Sequence, residues 1–365
     1  MRRNVLTAAL VISCLSLVSC SSNNSVEQPK DDLSQGNISD PAVSEAKLQE
    51  AGADCMAGAE IKGRPVRVVS TVAPITNLVG LLAGDIGPIV QGIVPEGTNS
   101  HTFEPPPSSV ATLESADIIF VNGMKLEDPT LELAKANAPK AVICELGTSS
   151  LAESDWIYDF SFPKEGGKPN PHLWTNPPMA KQYAQVVRDV LVRRDPTNAA
   201  IYESNFSAFA LKVDALDDAI ETATATIPED QRKLLTYHDA YAYFATNYGF
   251  TVVGAIQPSS FDEPTPKDIA ELISQVKSQK VRAIFGSEVF PSTVLEQIGV
   301  ETDVRYVDVL RDDDLIGEPG DAEHSWLGLM RFNFVTIVEA LGGDASALKS
   351  LDVRDVAKDE AKYPQ

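Results

Sequence analysis

Histidine and cysteine are both scarce in this 365-residue sequence, which contains four of each. No two cysteines have the Cys-x-x-Cys spacing, so a structural zinc site built from thiolates is not expected. The sequence also lacks His-Glu-x-x-His and Gly-x-Ser-x-Gly, the motifs of zinc proteases and of serine hydrolases. These absences argue against two common classes of exported hydrolase and make the position of each histidine informative.

Basic residues are few relative to acidic ones, with 30 Lys and Arg against 52 Asp and Glu and a net charge of −22. A surface of this sign repels phosphate backbones and anionic headgroups. The composition therefore argues against a nucleic-acid partner and against membrane binding through a basic patch. It is compatible with a cation as ligand, although an acidic surface also keeps an exported protein soluble.

The sequence also lacks a long apolar run. The apolar run at the N-terminus, over 5–18, is too short to span a bilayer. Arg2 and Arg3 precede it, as in an export signal, and we predict a signal peptide over 1–19. The run ends in the letters LVSC, which resemble the bacterial lipobox. That resemblance implies lipidation of Cys20, and two or more acyl chains would give stable anchoring. The alternative is an ordinary signal peptide whose Cys20 is unmodified.

Residues 20–63 are polar, poor in aromatic residues and without a sustained apolar period. We predict a flexible tether there, because such a segment buries too little surface to fold. Of the remaining cysteines, Cys55 lies in the tether and Cys144 in an apolar run. In an oxidising compartment they either form a disulfide or remain a free Cys55 and a buried Cys144.

Short β-branched apolar runs alternate with helix-like stretches over most of the chain. The runs are VRVVST (66–71), PIVQGIV (88–94), DIIFVN (117–122) and KAVICEL (140–146), and then KLLTYH (233–238), TVVGAIQ (251–257), VRAIFG (281–286) and VRYVDVL (304–310). Alternation of this kind predicts parallel sheets covered by helices on both faces.

Two such α/β regions are separated by a long segment without proline or glycine, 197–227. Its apolar residues recur at helical spacing, which predicts one long linker helix; they are Phe209, Val213, Leu216 and Ile220. We therefore predict an N-terminal α/β lobe over 64–196, the linker helix, and a C-terminal α/β lobe over 228–351.

Three histidines lie at or beyond the ends of predicted strands or in loops that border them: His101, His172 and His238. In open α/β sheets, ligands bind outside the carboxyl ends of the strands. Asp308 stands near the end of the last predicted strand. Four such side chains meeting between the lobes would form a closed tetrahedral metal site. The fourth histidine, His324, is predicted to begin the last long helix rather than to bind metal.

Other acidic residues near strand ends compete for the same role. Glu288, in the letters FGSEVF, is the rival carboxylate to Asp308. We predict that Asp312, Asp313 and Asp314 form a solvated turn.

Four segments, in order, resemble the ligand segments of the metal-binding solute-binding lipoproteins of bacterial zinc/manganese/iron ABC importers (the cluster A-I type). They are SHTFEPPPSSVATLESADIIFVNGMKLE, NPHLWTNPPMA, TYHDAYAYFATNYGF and VDVLRDDDLIGEPGDAEHSWLGLMRFNFVTIVEAL. The similarity covers 66–341. Four segments in the right order are more specific than any single motif.

The resemblance implies a receptor, not an enzyme, that binds one divalent metal between its lobes and delivers it to an ABC permease as a monomer. It assigns the ligands to His101, His172, His238 and Asp308. Imidazoles with one carboxylate suit Zn²⁺ and also bind Mn²⁺ or Fe²⁺. Manganese-preferring relatives often carry a carboxylate at the position of His238, which favours zinc here.

Two departures from the family pattern bear on the metal. Many zinc-specific members have a histidine-rich loop before the second ligand, whereas the letters FSFPKEGGKPN contain none. Asn176 stands where relatives often have Asp, so it is a candidate either for metal binding or for orienting a ligand. The alternatives are a manganese or iron receptor of the same type, an exported zinc metalloenzyme, and an adhesin with a structural metal.

Overall fold

The computed structural model describes residues 41–255, 265–287 and 293–364. The predicted signal peptide, Cys20, the first part of the predicted tether and Glu288 lie outside these residues. Within the described part of the chain, no helix is both long and apolar enough to cross a membrane.

The first lobe contains a four-stranded parallel sheet in the order β2-β1-β3-β4. Its strands are β1 (Arg67–Ser70), β2 (Ile89–Gly92), β3 (Ile118–Val121) and β4 (Val142–Glu145). Every residue of β3 is buried, because helices cover both faces of a parallel sheet. The helices of this region are α1 (Pro41–Cys55), α2 (Ala73–Ala83), α3 (Ser109–Ser115), α4 (Asp128–Asn137) and α5 (Pro177–Arg194).

The second lobe repeats this arrangement with a parallel sheet in the order β6-β5-β7-β8. Its strands are β5 (Lys233–Thr236), β6 (Thr251–Ala255), β7 (Ala283–Ser287) and β8 (Arg305–Leu310). The linker helix is α6 (Ala199–Ala225). The helices of the second lobe are α7 (Ala242–Tyr248), α8 (Pro266–Gln279), α9 (Thr293–Thr302), α10 (Trp326–Ala340) and α11 (Ser346–Lys349). In both sheets the chain reverses its direction of winding after the second strand, which opens a crevice at the carboxyl ends of the strands.

A single helix of 27 residues, α6 (Ala199–Ala225), lies between the elements of the two lobes. It is about 40 Å long at ~1.5 Å per residue. Its apolar face is at most 1% exposed and packs into the core; the residues on it are Phe209, Val213, Leu216 and Ile220. The predicted architecture of two parallel-sheet α/β lobes is confirmed.

The predicted tether is wrong for residues 41–55, which form α1. Cys55, its last residue, forms a disulfide with Cys144 on β4. Ser44 accepts a hydrogen bond from the Ser154 amide at 2.8 Å. These links, rather than a broad apolar face, hold α1 on the lobe, so hydrophobic periodicity does not reveal the helix.

The buried core is continuous between the lobes. The amide of Trp326, at the start of α10, donates to Asn77 Oδ1 of α2 at 2.8 Å. The indole Nε1 of Trp326 donates to the carbonyl of Trp174 at 3.0 Å. Both tryptophans are completely buried. The lobes are therefore packed against each other through apolar surface as well as joined by α6.

We expect the double variant Cys55→Ser/Cys144→Ser to lose about 2–5 kcal/mol of unfolding free energy, because the disulfide closes a long loop between residues 89 positions apart. Chemical denaturation with and without reductant measures the loss. Reduced wild-type protein should match the variant. Equal stability of oxidised wild type and variant would contradict a stabilising role for the link between α1 and β4.

Candidate metal centre

Three imidazoles meet where the loops of the two lobes face each other. The Nε2 atoms of His101 and His172 are 3.0 Å apart, and those of His238 and His172 are 3.1 Å apart. Nitrogens ~2.0–2.1 Å from one metal ion would be about 3.3 Å apart in a tetrahedron and about 2.9 Å apart at adjacent octahedral positions. The observed separations lie between these values. Among the described residues, no other group of His, Cys, Asp or Glu side chains clusters in this way.

The sheets place these rings in loops beyond the carboxyl ends of strands. His101 lies in the loop between β2 and α3, and His172 in the connection from β4 to α5. His238 is two residues past the end of β5. His172 and His238 are buried and His101 is half-buried. Two lobes therefore contribute to one centre, as the sequence analysis expected of these three residues.

Asn170 orients the central ring. Its Oδ1 accepts hydrogen bonds from Nδ1 of His172 at 2.8 Å and from the His172 amide at 3.0 Å. Since an amide oxygen only accepts, Nδ1 carries the proton and the lone pair on Nε2 points into the cluster. Asn170 Nδ2 donates to Asp159 Oδ2 and to the carbonyl of Asp239, both at 2.7 Å, which fixes the amide orientation.

Burial keeps all three rings neutral. It lowers the pKa of His238 to about 3. Burial, followed by repulsion from the other rings of the cluster, lowers the pKa of His172 well below its ordinary value. Burial and then repulsion from His238 do the same to the pKa of His101. A neutral imidazole is the form that binds a metal ion.

Phe162 covers the cluster. Its ring centroid is 5.5, 5.6 and 5.4 Å from those of His101, His172 and His238. Phe162 is 6% exposed, so it shields the imidazoles from water. The Trp174 ring also lies 5.0 Å from that of His172. An apolar enclosure of this kind strengthens the electrostatic attraction between ligands and a cation.

The structure does not bring Asp308 to the three histidines. β8 continues through Asp308 to Leu310, and the Asp308 side chain faces solvent on that strand. The predicted strand over 304–310 ends where β8 ends, at Leu310, so Asp308 lies inside the strand and not at its rim. Residues beyond Leu310, rather than within β8, reach the carboxyl end of the sheet.

A different carboxylate lies beside the cluster. Asp312 is 3% exposed, and its Oδ2 is 3.7 Å from His172 Nε2. Its Oδ1 accepts a hydrogen bond from Ser287 at 3.2 Å. Asp313 is also buried and accepts hydrogen bonds from the amide and hydroxyl of Ser100 at 3.0 and 2.7 Å. The predicted solvated turn is therefore wrong for both residues, because the turn after β8 folds against the first lobe.

The remaining candidates lie elsewhere. Asn176 is buried at the start of α5, and its Oδ1 has no hydrogen-bond partner within the described part of the chain. Asn170, rather than Asn176, holds the His172 ring; the sequence signal for it is the Asn-x-His spacing in NPH. His324 pairs with Glu96, with His324 Nε2 3.2 Å from Glu96 Oε1. Glu288 lies outside the described residues.

Most of the chain matches a known protein family. Residues 68–340 match the family described as zinc-uptake complex component A, periplasmic (ZnuA). The iron-binding protein YfeA of Yersinia pestis is 30% identical over 279 residues, covering 76% of this chain and 86% of the relative. The manganese-binding lipoprotein MntA of Halalkalibacterium halodurans is 28% identical, covering 78% of this chain and 91% of the relative.

A solved structure has the same fold. The periplasmic zinc-binding protein TroA of Treponema pallidum superposes with a TM-score of 0.69 at 25% identity, covering 76% of this chain and 99% of that protein. The chain belongs to the zinc-uptake complex component A family, and the resemblance found in the sequence is confirmed.

In metal-free protein, we expect the rings of His101, His172 and His238 to protonate only well below the ordinary histidine pKa of about 6.5. Burial disfavours the charged ring, so protonation requires a lower pH. Imidazole chemical shifts measured by NMR across pH 8 to 5 test this.

His324 is the internal control for this titration. Its hydrogen bond to Glu96 raises its pKa, so it should protonate above the ordinary value. Midpoints near 6.5 for all four rings would contradict the burial argument.

Proposed function

We propose that this chain, as a member of that family, is an extracytoplasmic solute-binding receptor. It captures a divalent transition metal between its lobes and delivers the ion to an ABC permease. The observation that carries the proposal is the convergence of three neutral imidazole Nε2 atoms, 3.0 and 3.1 Å apart, from loops of both lobes. The names of relatives support it, since they describe iron-, manganese- and zinc-binding proteins.

The proposed ligands are His101, His172, His238 and Asp312. Asp312 replaces Asp308 because its carboxylate is buried 3.7 Å from His172 Nε2, whereas Asp308 faces solvent. Three nitrogens and one carboxylate complete a tetrahedral shell around the ion. A hydrolytic zinc keeps a position open for water. The closed set therefore favours transport over the metalloenzyme alternative.

Zinc is the proposed cargo, with manganese and iron as alternatives. Neutral nitrogen ligands suit Zn²⁺ better than the harder Mn²⁺, which prefers oxygen. Relatives carry names with each of the three metals, so membership of the family does not choose among them. The choice rests on the presence of a third imidazole, His238.

We also propose that Cys20 is the site of a lipid anchor that keeps the receptor on the outer face of the membrane as a monomer. The letters LVSC before and at Cys20 support cleavage and lipidation at this position. Relatives named as lipoproteins of metal transporters support the same arrangement. The acidic net charge argues against attachment of the protein to the membrane through a basic patch.

We expect purified mature protein to bind one divalent ion per chain with sub-micromolar affinity, and Zn²⁺ to displace Mn²⁺ and Fe²⁺ in competition. Zinc binding by four protein ligands has a free energy of ~10–16 kcal/mol, or about 3 kcal/mol per ligand. We therefore expect His101→Ala or Asp312→Asn to weaken metal binding by about 100-fold. Metal content by mass spectrometry and competition with a chelator measure both quantities.

Two matched variants serve as controls for the titration. Asp308→Asn and His324→Ala change the same residue types outside the centre and should bind as wild type. Loss of affinity in Asp308→Asn with none in Asp312→Asn would overturn the assignment of the carboxylate. Full affinity in His101→Ala would overturn the centre, and metal-dependent hydrolytic turnover would favour an enzyme.

A further inference from the structure

The segment after α11, residues 352–364, extends from the second lobe onto the first, and we call it the strap. It lies beyond the residues that match the family, 68–340. At its start, Ser325 donates its hydroxyl to the carbonyl of Val353 at 2.8 Å, next to the N-terminus of α10. Lys212 of α6 donates to the carbonyl of Arg354 at 2.6 Å. This end is therefore fixed to α10 and to the linker helix.

The far end of the strap pairs with the edge strand of the first sheet. The amide of Lys362 donates to the carbonyl of Val90 at 3.1 Å, and the amide of Gly92 donates to the carbonyl of Lys362 at 2.8 Å. Gln91 and Lys362 thereby form a parallel bridge. Tyr363 packs so closely on Gly92 that a Cβ there would lie 2.2 Å from its ring. The strap therefore occupies the outer edge of β2.

The middle of the strap is fixed to α2. Asn77 Nδ2 donates to Asp355 Oδ2 at 3.2 Å and to Asp359 Oδ2 at 2.9 Å. One turn further along α2, Asp359 lies against Gly80, where a Cβ would come 2.0 Å from Oδ1. An added Cβ at position 80 would therefore displace the Asp359 carboxylate from α2.

The contact with Asn77 reaches the metal centre through two tryptophans. The strap carboxylates accept hydrogen bonds from Asn77 Nδ2, which fixes the orientation of this side-chain amide. Asn77 Oδ1 therefore points at the Trp326 amide and accepts a hydrogen bond from it. Trp326 Nε1 donates to the carbonyl of Trp174, and Trp174 Nε1 donates to the carbonyl of Asp312 at 3.0 Å. Trp174 also packs on the ring of His172. The strap thus supports the same interlobe contacts that position two of the proposed ligands.

We propose that the strap clasps the two lobes together and slows release of the bound metal. Separation of the lobes that opens the cleft must break contacts at one end of the strap, in addition to flexing α6. A clasp that favours the closed arrangement lowers the population from which the ion leaves. The effect on release rests on the proposed function, whereas the clasp itself does not.

Two variants disrupt the strap in different ways. Gly80→Ala is favourable for a helix interior but forces Asp359 away from α2. Removal of residues 352–365 eliminates all contacts of the strap. Gly52→Ala is the matched control, because it is also a helical glycine and a Cβ there meets nothing within 4 Å.

Lobe separation is measured by spin-label distances between Glu114→Cys and Glu296→Cys, two exposed positions on α3 and α9. Metal release is measured by stopped flow into a chelator. We expect both strap variants to show a longer or broader distance distribution without metal. Their release should be at least about 10-fold faster, because such changes act mainly on the dissociation rate. The Gly52→Ala control should match wild type in both.

Unchanged distances in both strap variants would overturn the clasp. A changed distance with unchanged release would overturn its control of the metal. If no variant and no wild-type sample binds metal, the proposed function fails, and the distances still decide whether the strap holds the lobes. If the shortened chain does not fold, Gly80→Ala decides alone.

Discussion

The proposed metal centre requires the lone pairs of three imidazoles to point at one position in the buried interface between the lobes. The hydrogen bonds and the burial around the rings meet that requirement. A neutral imidazole has one donor and one acceptor nitrogen. A partner that accepts a hydrogen bond from the donor nitrogen leaves the acceptor nitrogen facing the centre. For His172 the hydrogen bond to Asn170 Oδ1 does this, and Asp159 and the Asp239 carbonyl hold Asn170 in turn. Burial keeps the rings neutral, which is also what metal binding needs.

Much of this arrangement follows from the sequence. The strands within the described part of the chain are short apolar runs between turn residues. The apolar residues of α6 from Phe209 to Ile220 recur at helical spacing. The three histidines follow strands, and parallel sheets bring the carboxyl ends of their strands together. Those features depend on local composition and on a general rule of topology, so a single sequence is enough to predict them.

What the sequence does not predict depends on contacts between distant residues. Asp308 lies inside β8 and Asp312 two residues beyond its end, and the letter pattern alone does not show which carboxylate reaches the cluster. The burial of Asp313 depends on Ser100, more than two hundred residues away. The helix α1 is held by a disulfide and by polar contacts to the first lobe, so it carries little apolar periodicity. In each case the missing information is the identity of a tertiary partner.

The proposed ligands come from both lobes, so metal affinity is expected to depend on how closely the lobes approach. We propose that α6 and the strap both limit that movement. X-ray absorption of the metal-loaded protein examines the centre most directly. The proposed ligand set predicts three imidazoles and one carboxylate around a single ion, at ~2.0–2.1 Å for zinc. A shell with fewer than three imidazoles, or with a sulfur ligand, would contradict it.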